Sequence, residues 1–558
     1  MPSPCWQTPI RVIEAAPLDY YSSASEDCLR VNVWRRSSAC SDSGVCDGKR
    51  PVIFYIHGGV FNWGDSALFV YNAANFVALS DVVFVTFNYR VSVLGFLSLG
   101  RPELTGNMGL WDQNLALRWV RANIANFGGD PEEVTLMGQS AGAISVGLHA
   151  VSPQSRDLFK RAVMLSGAPL SMVLGSSHQG DGKFIKIASF LGCYDFNRTL
   201  GDQLHDALSC LRSLDAHFIF KTLEEQDPAQ SVVTPTYGDE FLPEDPFLED
   251  TWKKLLVREI VLGNVLNEGT LFFDNIQHAA PALKEVLLTD YRLGITVGLG
   301  PMFGLSMPQA RRVVEAYFGG PDAEHTNEQV SALFSELLGD AVFDCPVQLM
   351  SEVTPEQGIH TYRFVFAHRP SYSFWPEWMG VTHSDEIMYA IGSLPFLNDT
   401  SRMIEAMKGE SHDMMRMKNY TSEEEKLMEE VVSAFYSFAK VGKPVIPHPH
   451  VEWPEYTKES RRVLVLKPNN YTVVRDTKRE RCELWKPLLY KSGLSKGTRA
   501  TTTAKPAKPG SSVTTKKKLP HSGRGHSASS SPTSIRLPGM LVLAACAVAC
   551  LNARLFST

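Results

Sequence analysis

No Asp or Glu follows Glu483 in this 558-residue chain. All 60 carboxylates therefore share residues 1–483 with 42 of the 54 Lys and Arg, a formal −18, and the remaining 12 basic residues give the tail +12. A body that acidic steers cationic small molecules, although ordinary solubility charge has the same signature. Nucleic acid is not among the expected partners. Large apolar residues are nearly missing from Ser492 to Ser534, where Ser, Thr, Lys, Pro and Gly dominate. Such a composition buries too little surface to fold, so residues 491–534 read as a disordered stalk. An apolar run of membrane-spanning length is lacking as well. Leu537 to Leu551 reaches about 22 Å at helical rise, against a hydrocarbon core of about 30 Å. With the small residues Ser522 to Ser529 ahead of it, the hydrophobic tail over 535–558 fits a GPI-attachment signal better than a permanent membrane helix. Met1 to Pro9 has neither a positively charged nor an apolar stretch, so no signal peptide is read there. No internal repeat is present.

What the chain does have is V-T-L-M-G-Q-S-A-G-A-I-S-V, Val134 to Val146. It places Ser140 in G-x-S-x-G between a β-branched strand and a helix of small residues, which is the pattern of a nucleophile elbow. Gly138 and Gly142 leave room for a sharp turn that exposes the serine at the end of a sheet. A bare G-x-S-x-G is more often a turn, so the context decides. Upstream, P-V-I-F-Y-I-H-G-G-V-F (Pro51 to Phe61) reads as a buried parallel strand running into a glycine loop, able to offer backbone N–H groups to an oxyanion. V-V-F-V-T-F-N-Y-R-V (Val82 to Val91) is a second buried strand, and Gly109 to Phe127 has helical periodicity. Strands alternating with helices predict an α/β sheet.

The chain resembles the type-B carboxylesterase/cholinesterase family of α/β hydrolases. The resemblance lies in E-D-C-L-R-V-N-V-W (Glu26 to Trp34), the H-G-G loop, N-Y-R-V-S-V-L-G-F-L-S (Asn88 to Ser98), G-N-M-G-L-W-D-Q-N-L-A-L-R-W-V (Gly106 to Val120) and F-G-G-D-P-E-E-V-T-L-M-G-Q-S-A-G (Phe127 to Gly142). W-P-E-W-M-G-V-T-H-S-D-E-I (Trp375 to Ile387) looks most like a cholinesterase. The resemblance implies a single large α/β-hydrolase domain over residues 1–490, with a central, mostly parallel sheet flanked by helices. It also implies a triad of Ser140 as nucleophile, His383 as general base and Glu268 in G-N-V-L-N-E-G-T as the orienting acid. Without it, Glu268 is one carboxylate among many and His383 one histidine of 15. The oxyanion hole falls on the amides of Gly59, Val60 and Ala141. Val60 stands where the family usually has a third glycine, and a β-branched residue resists positive φ and adds bulk beside the acyl carbonyl. Ser166 in M-L-S-G-A matches a serine that supports the triad, or is a turn residue at a strand end.

The substrate pocket departs further. A cholinesterase carries a tryptophan shortly before the cysteine of E-D-C to hold a quaternary ammonium. Here Ala16 to Ser25 reads A-P-L-D-Y-Y-S-S-A-S, with only Tyr20 or Tyr21 to replace it. Gln139 stands in place of a glutamate and Leu271, before Phe272, in place of an aromatic, while Trp378 is retained. Ser231 to Thr236, S-V-V-T-P-T, replaces the phenylalanines that restrict an acetyl pocket. These positions predict a site for larger or uncharged esters that handles acetylcholine poorly.

The resemblance pairs Cys5 with Cys28, Cys193 with Cys210, and Cys345 with Cys482. Cys40 and Cys46 bracket a short polar insertion and suggest a local bridge, and Cys546 and Cys550 are left in the tail. Sequons at Asn197, Asn398, Asn419 and Asn470 agree with a secreted glycoprotein. The N-terminal strands that precede the first disulfide in the family are missing, so the expectation is a sequence without its signal peptide and part of its sheet. The resulting reading is an extracellular, GPI-anchored, cholinesterase-like serine ester hydrolase acting on a small-molecule substrate, choline esters or broader carboxyl esters, with neither metal nor organic cofactor. A homodimer is compatible with it. The alternatives are a catalytically weak adhesion protein of neuroligin type and a slow-turnover ester scavenger.

Overall fold

The computed structural model describes residues 3–7, 23–37, 40, 46, 49–171, 180–226, 233–279, 281–373, 375–398, 419–476 and 478–490. The stalk, the hydrophobic tail, Tyr20 and Tyr21 lie outside them. Nine strands form one sheet: β1 (Val31–Trp34), β2 (Arg50–Ile56), β3 (Val83–Phe87), β4 (Gly129–Gln139), β5 (Arg161–Leu165), β6 (Glu259–Val265), β7 (His360–Phe366), β8 (Arg462–Leu466) and β9 (Thr472–Arg475). Their order is β1-β3-β2-β4-β5-β6-β7-β8-β9. Only the edge pairs β1/β3 and β8/β9 are antiparallel; every pairing between β3 and β8 is parallel.

The inner strands are apolar without alternation because helices cover both faces. Val52, Phe54 and Ile56 of β2 enter one core, and Ile53 and Tyr55 enter the core on the opposite face, following the two-residue period of a strand. The helix expected at Gly109 to Phe127 is Met108–Asn123, closed by a tighter turn at Ile124–Phe127. A second long helix, Ser422–Val441, begins at the cap residue Thr421. Thr421 accepts from the Glu424 N–H, and Glu424 answers by accepting from the Thr421 N–H.

Four disulfides join Cys5 to Cys28, Cys40 to Cys46, Cys193 to Cys210, and Cys345 to Cys482. Among the described residues no helix is long and apolar enough to cross a membrane. The parallel strands all point their carboxyl ends to one edge of the sheet, so the loops leaving β2, β4, β6 and β7 meet there.

Candidate active site

Ser140 sits between β4 and the helix Ala141–Val151 with φ 55° and ψ −123°, a backbone strained for any side chain. The flanking glycines permit it. A Cβ on Gly142 would stand 2.0 Å from Ile56 O, and one on Gly138 would stand 2.4 Å from Gly142 O. The turn is pinned to the neighbouring strand by the Ser140 N–H, which donates to Leu165 O at 2.9 Å.

The loop after β2 runs beside this turn, since a Cβ on Gly58 would stand 3.1 Å from Ser140 Cβ. His57 is buried against Tyr89, ring centroids 4.3 Å apart, and burial drives its pKa down to about 4, so it packs as a neutral ring. Val60 adopts φ 54°, beside Gly59 at 114° and Phe61 at 62°. The valine therefore keeps positive φ despite its branch. Asn62 explains how: its Nδ2 donates to Val60 O at 2.7 Å, and its Oδ1 accepts from the Val233 N–H at 3.1 Å. Sequence reasoning missed Asn62. Its place three residues after the glycine pair was the only signal. The amides of Gly59, Val60 and Ala141 have no acceptor among the described residues.

Glu268 follows β6 and His383 follows β7. Glu268 Oε2 lies 2.6 Å from His383 Nδ1, and its Oε1 accepts from the Val265 N–H at 2.9 Å. Both residues are buried. Asn267 stitches the two strand ends together, since its N–H donates to Val381 O at 2.9 Å and its Oδ1 accepts from the Val381 N–H at 3.0 Å. Gly380 has φ 64°, and a Cβ there would meet Asn267 Oδ1 at 2.4 Å, which explains the glycine in M-G-V-T-H. The His383 ring is walled by Phe343 at 4.4 Å and Phe272 at 5.5 Å between centroids. Phe343 lies in a π-helical turn, Asp340–Asp344, at the junction with helix Cys345–Glu356. Lys478, the cap residue of the helix Arg479–Leu489, clamps that turn by donating to Asp340 Oδ1 at 2.8 Å and to Asp344. The Cys345–Cys482 disulfide ties the same two segments.

Ser166 ends β5 with φ 51°, and its hydroxyl donates to Glu386 Oε1 at 2.8 Å. Burial, then the Glu268 charge, pushes Glu386 up to about 7. Sequence reasoning missed this acid, three residues beyond His383. Asp385 is driven up to about 8 by burial.

A cavity of about 300 Å³ gathers Gly59, Val60, Gln139, Ser140 and His383. Trp63, Phe69, Tyr71, Phe272, Tyr372 and Trp375 supply aromatic walls, with Leu271 among the aliphatic ones. Ala141 lies just behind the wall, 1% exposed at the start of its helix. Gln139, Leu271 and Phe272 thus line the cavity. Trp378 does not. It lies outside the lining, 50% exposed, because the tight turn Glu377–Met379 buries Met379 and leaves Trp378 on the outer side against Phe273. Trp375, three residues earlier, is at the wall instead. Residues 231–232 lie outside the described set; Val233 to Thr236 are described and are not in the lining, and Val233 holds Asn62 instead. Asp385 is the one carboxylic acid in the wall among the described residues, and it is held protonated near neutrality.

The model of the carboxylesterase family matches residues 1–485. The chain belongs to that family. Membership places it among the serine ester hydrolases, whose fold is the α/β hydrolase. It is 30% identical to an acetylcholinesterase of Leptinotarsa decemlineata, over 84% of this chain and 73% of the relative. It is 30% identical to a cholinesterase of Mus musculus over 83% and 73%, and 31% identical to an acetylcholinesterase of Bungarus fasciatus over 84% and 73%.

Proposed function

We propose that this esterase cleaves uncharged carboxylic esters through an acyl-enzyme on Ser140. His383 Nε2 takes the hydroxyl proton as Ser140 Oγ adds to the carbonyl carbon. The negative charge that forms on the carbonyl oxygen is met by the amides of Gly59, Val60 and Ala141. Collapse breaks the ester C–O bond, and His383 returns the proton to the leaving alcohol. Water then adds to the acyl carbon with the same base, and the acid departs as Ser140 is regenerated. Glu268 holds the imidazole with Nδ1 protonated and stabilises it while Nε2 carries the second proton.

One observation carries the reading: His383, paired with the Glu268 carboxylate at 2.6 Å, and the acceptor-free amides of Gly59 and Val60 border the cavity that holds the strained serine, with the amide of Ala141 just behind its wall. The preference for uncharged esters rests on the wall. Its aromatic and aliphatic residues surround Gln139, a neutral amide, and Asp385, which ionises only near pH 8.

An oxidising, extracellular setting is supported by the four disulfides and by the exposure of Asn197, Asn419 and Asn470. We place the protein at the cell surface through a lipid anchor on its C-terminal tail.

The test compares the protein with its Ser140→Ala variant, using an organophosphate serine probe and two esters, naphthyl acetate and acetylthiocholine. Labelling is expected only where Ser140 is present, with naphthyl acetate the better substrate. Equal hydrolysis by both proteins removes Ser140 from the mechanism, and comparable turnover of the two esters removes the preference.

A further inference from the structure

In the mechanism above, the lone pair on His383 Nε2 must reach the Ser140 hydroxyl, yet the structure directs another group at it. Gln139 Nε2 lies 3.4 Å from His383 Nε2 and 3.1 Å from Ser384 Oγ. The opposite ring nitrogen, Nδ1, faces the Glu268 carboxylate at 2.6 Å. An ionised carboxylate only accepts, so Nδ1 carries the hydrogen and Nε2 presents a lone pair. The Gln139 amide N–H is a donor suited to that lone pair. Ser140 Oγ, in contrast, has no hydrogen-bond partner among the described residues.

Gln139 is held in this place from several sides. It is the last residue of β4 and only 2% exposed. Gly58 leaves it room, since a Cβ there would come within 2.8 Å of Gln139 O and 3.0 Å of Gln139 Oε1. Ser384, at φ 83°, meets the same amide from the His383 side.

We propose that Gln139 is a resting-state latch, a positioning residue whose side-chain amide occupies the His383 lone pair and leaves Ser140 unactivated until a bound ester offers that amide another oxygen. The inference rests on the roles proposed above for Ser140 and His383, and it narrows the substrate class. An ester with a second hydrogen-bond acceptor within reach of Gln139 releases the latch, whereas a plain hydrocarbon ester such as naphthyl acetate must react against it and turns over roughly threefold to tenfold more slowly than without it. A glutamate in this position lacks the hydrogen to act this way at neutral pH.

The test is Gln139→Met, which keeps the length of the side chain and removes the donor. With a small neutral organophosphate, the variant is expected to label at Ser140 roughly threefold to tenfold faster than the parent, the worth of one neutral hydrogen bond. For a small ester, kcat rises with KM nearly unchanged. A merely structural role moves both rates down. Equal or slower labelling in a variant whose thermal unfolding midpoint matches the parent's overturns the latch. If Gln139→Met fails to fold, Gln139→Glu, close in shape and also without the N–H, decides in the same way: acceleration supports the latch and its absence overturns it. Ser140→Ala separates the two levels of the argument. Labelling that persists there overturns the serine assignment, while loss of labelling there, without acceleration at Gln139, overturns the latch alone.

Discussion

Glu268 grips His383 with one carboxylate oxygen and its own backbone with the other: Oε2 is 2.6 Å from Nδ1, and Oε1 accepts from the Val265 N–H at 2.9 Å. Both oxygens are committed, so Glu268→Gln has one acceptor for two donors. The amide keeps Val265 and turns its NH2 toward Nδ1, which reverses the tautomer. The expected loss in kcat is on the order of 10⁴-fold with KM little changed. Steady-state kinetics on the folded variant check this, and a loss under about tenfold excludes the orienting role.

Val60 holds φ 54°, where a branched residue is strained by about 1–3 kcal/mol. Val60→Gly relieves that strain, while the freer unfolded chain takes back about 0.4–1 kcal/mol. A net gain of about 1 kcal/mol is expected, together with lower KM for esters of bulky acids because the side chain no longer narrows the cavity. Chemical denaturation and a series of acyl chain lengths measure the two effects. A destabilised variant contradicts the strain.

Asn62 keeps the Val60 carbonyl in place at 2.7 Å. Asn62→Ala frees the loop and lets the Val60 amide turn away from the developing oxyanion. A fall in kcat on the order of 100-fold is expected, the worth of one misaimed donor. KM moves little, because the aromatic walls stay. A change confined to KM assigns Asn62 to binding instead.

Asp385 gives a pH dependence of definite sign. Burial lifts it to about 8, with the charges of Glu386 and Glu268 adding and the Thr382 N–H and Arg369 opposing. The unfolded chain releases the same proton at the ordinary value of about 4. Between these values the folded state holds a proton that the unfolded state has lost. The stabilisation is therefore complete below about pH 4 and is lost as pH rises through about 8, at no more than about 1.4 kcal/mol per pH unit. Asp385→Asn keeps an acceptor for the Thr382 N–H and is expected to flatten the decline in unfolding free energy across that window. An unchanged slope shows that the acid is ionised throughout.

Much of this arrangement was legible in the sequence because it depends on local constraints. The glycines around Ser140 and the unbroken apolar strands report backbone approach and two-sided burial directly. The pairing of Glu268 with His383 was legible only through family resemblance, since nothing local distinguishes either residue. What escaped was contact between distant segments. The grip of Asn62 on Val60 and Val233, the Glu386 carboxyl under Ser166, and the exchange of Trp378 for Trp375 at the wall all follow from how loops cross in space. Charge tuning was equally hidden, because Asp385 reads as a solvated acid until its burial is known.

The clamp on Phe343 bears on the order in which the molecule matures. Lys478 and Cys482, which secure the turn that presents Phe343 to His383, come from the last described helix. A ribosome delivers them long after the serine and the imidazole have emerged. On the roles proposed for them, the nascent polypeptide holds its chemical groups well before it can set the base firmly, and hydrolytic competence is expected only once the segment around Lys478 and Cys482 has been made.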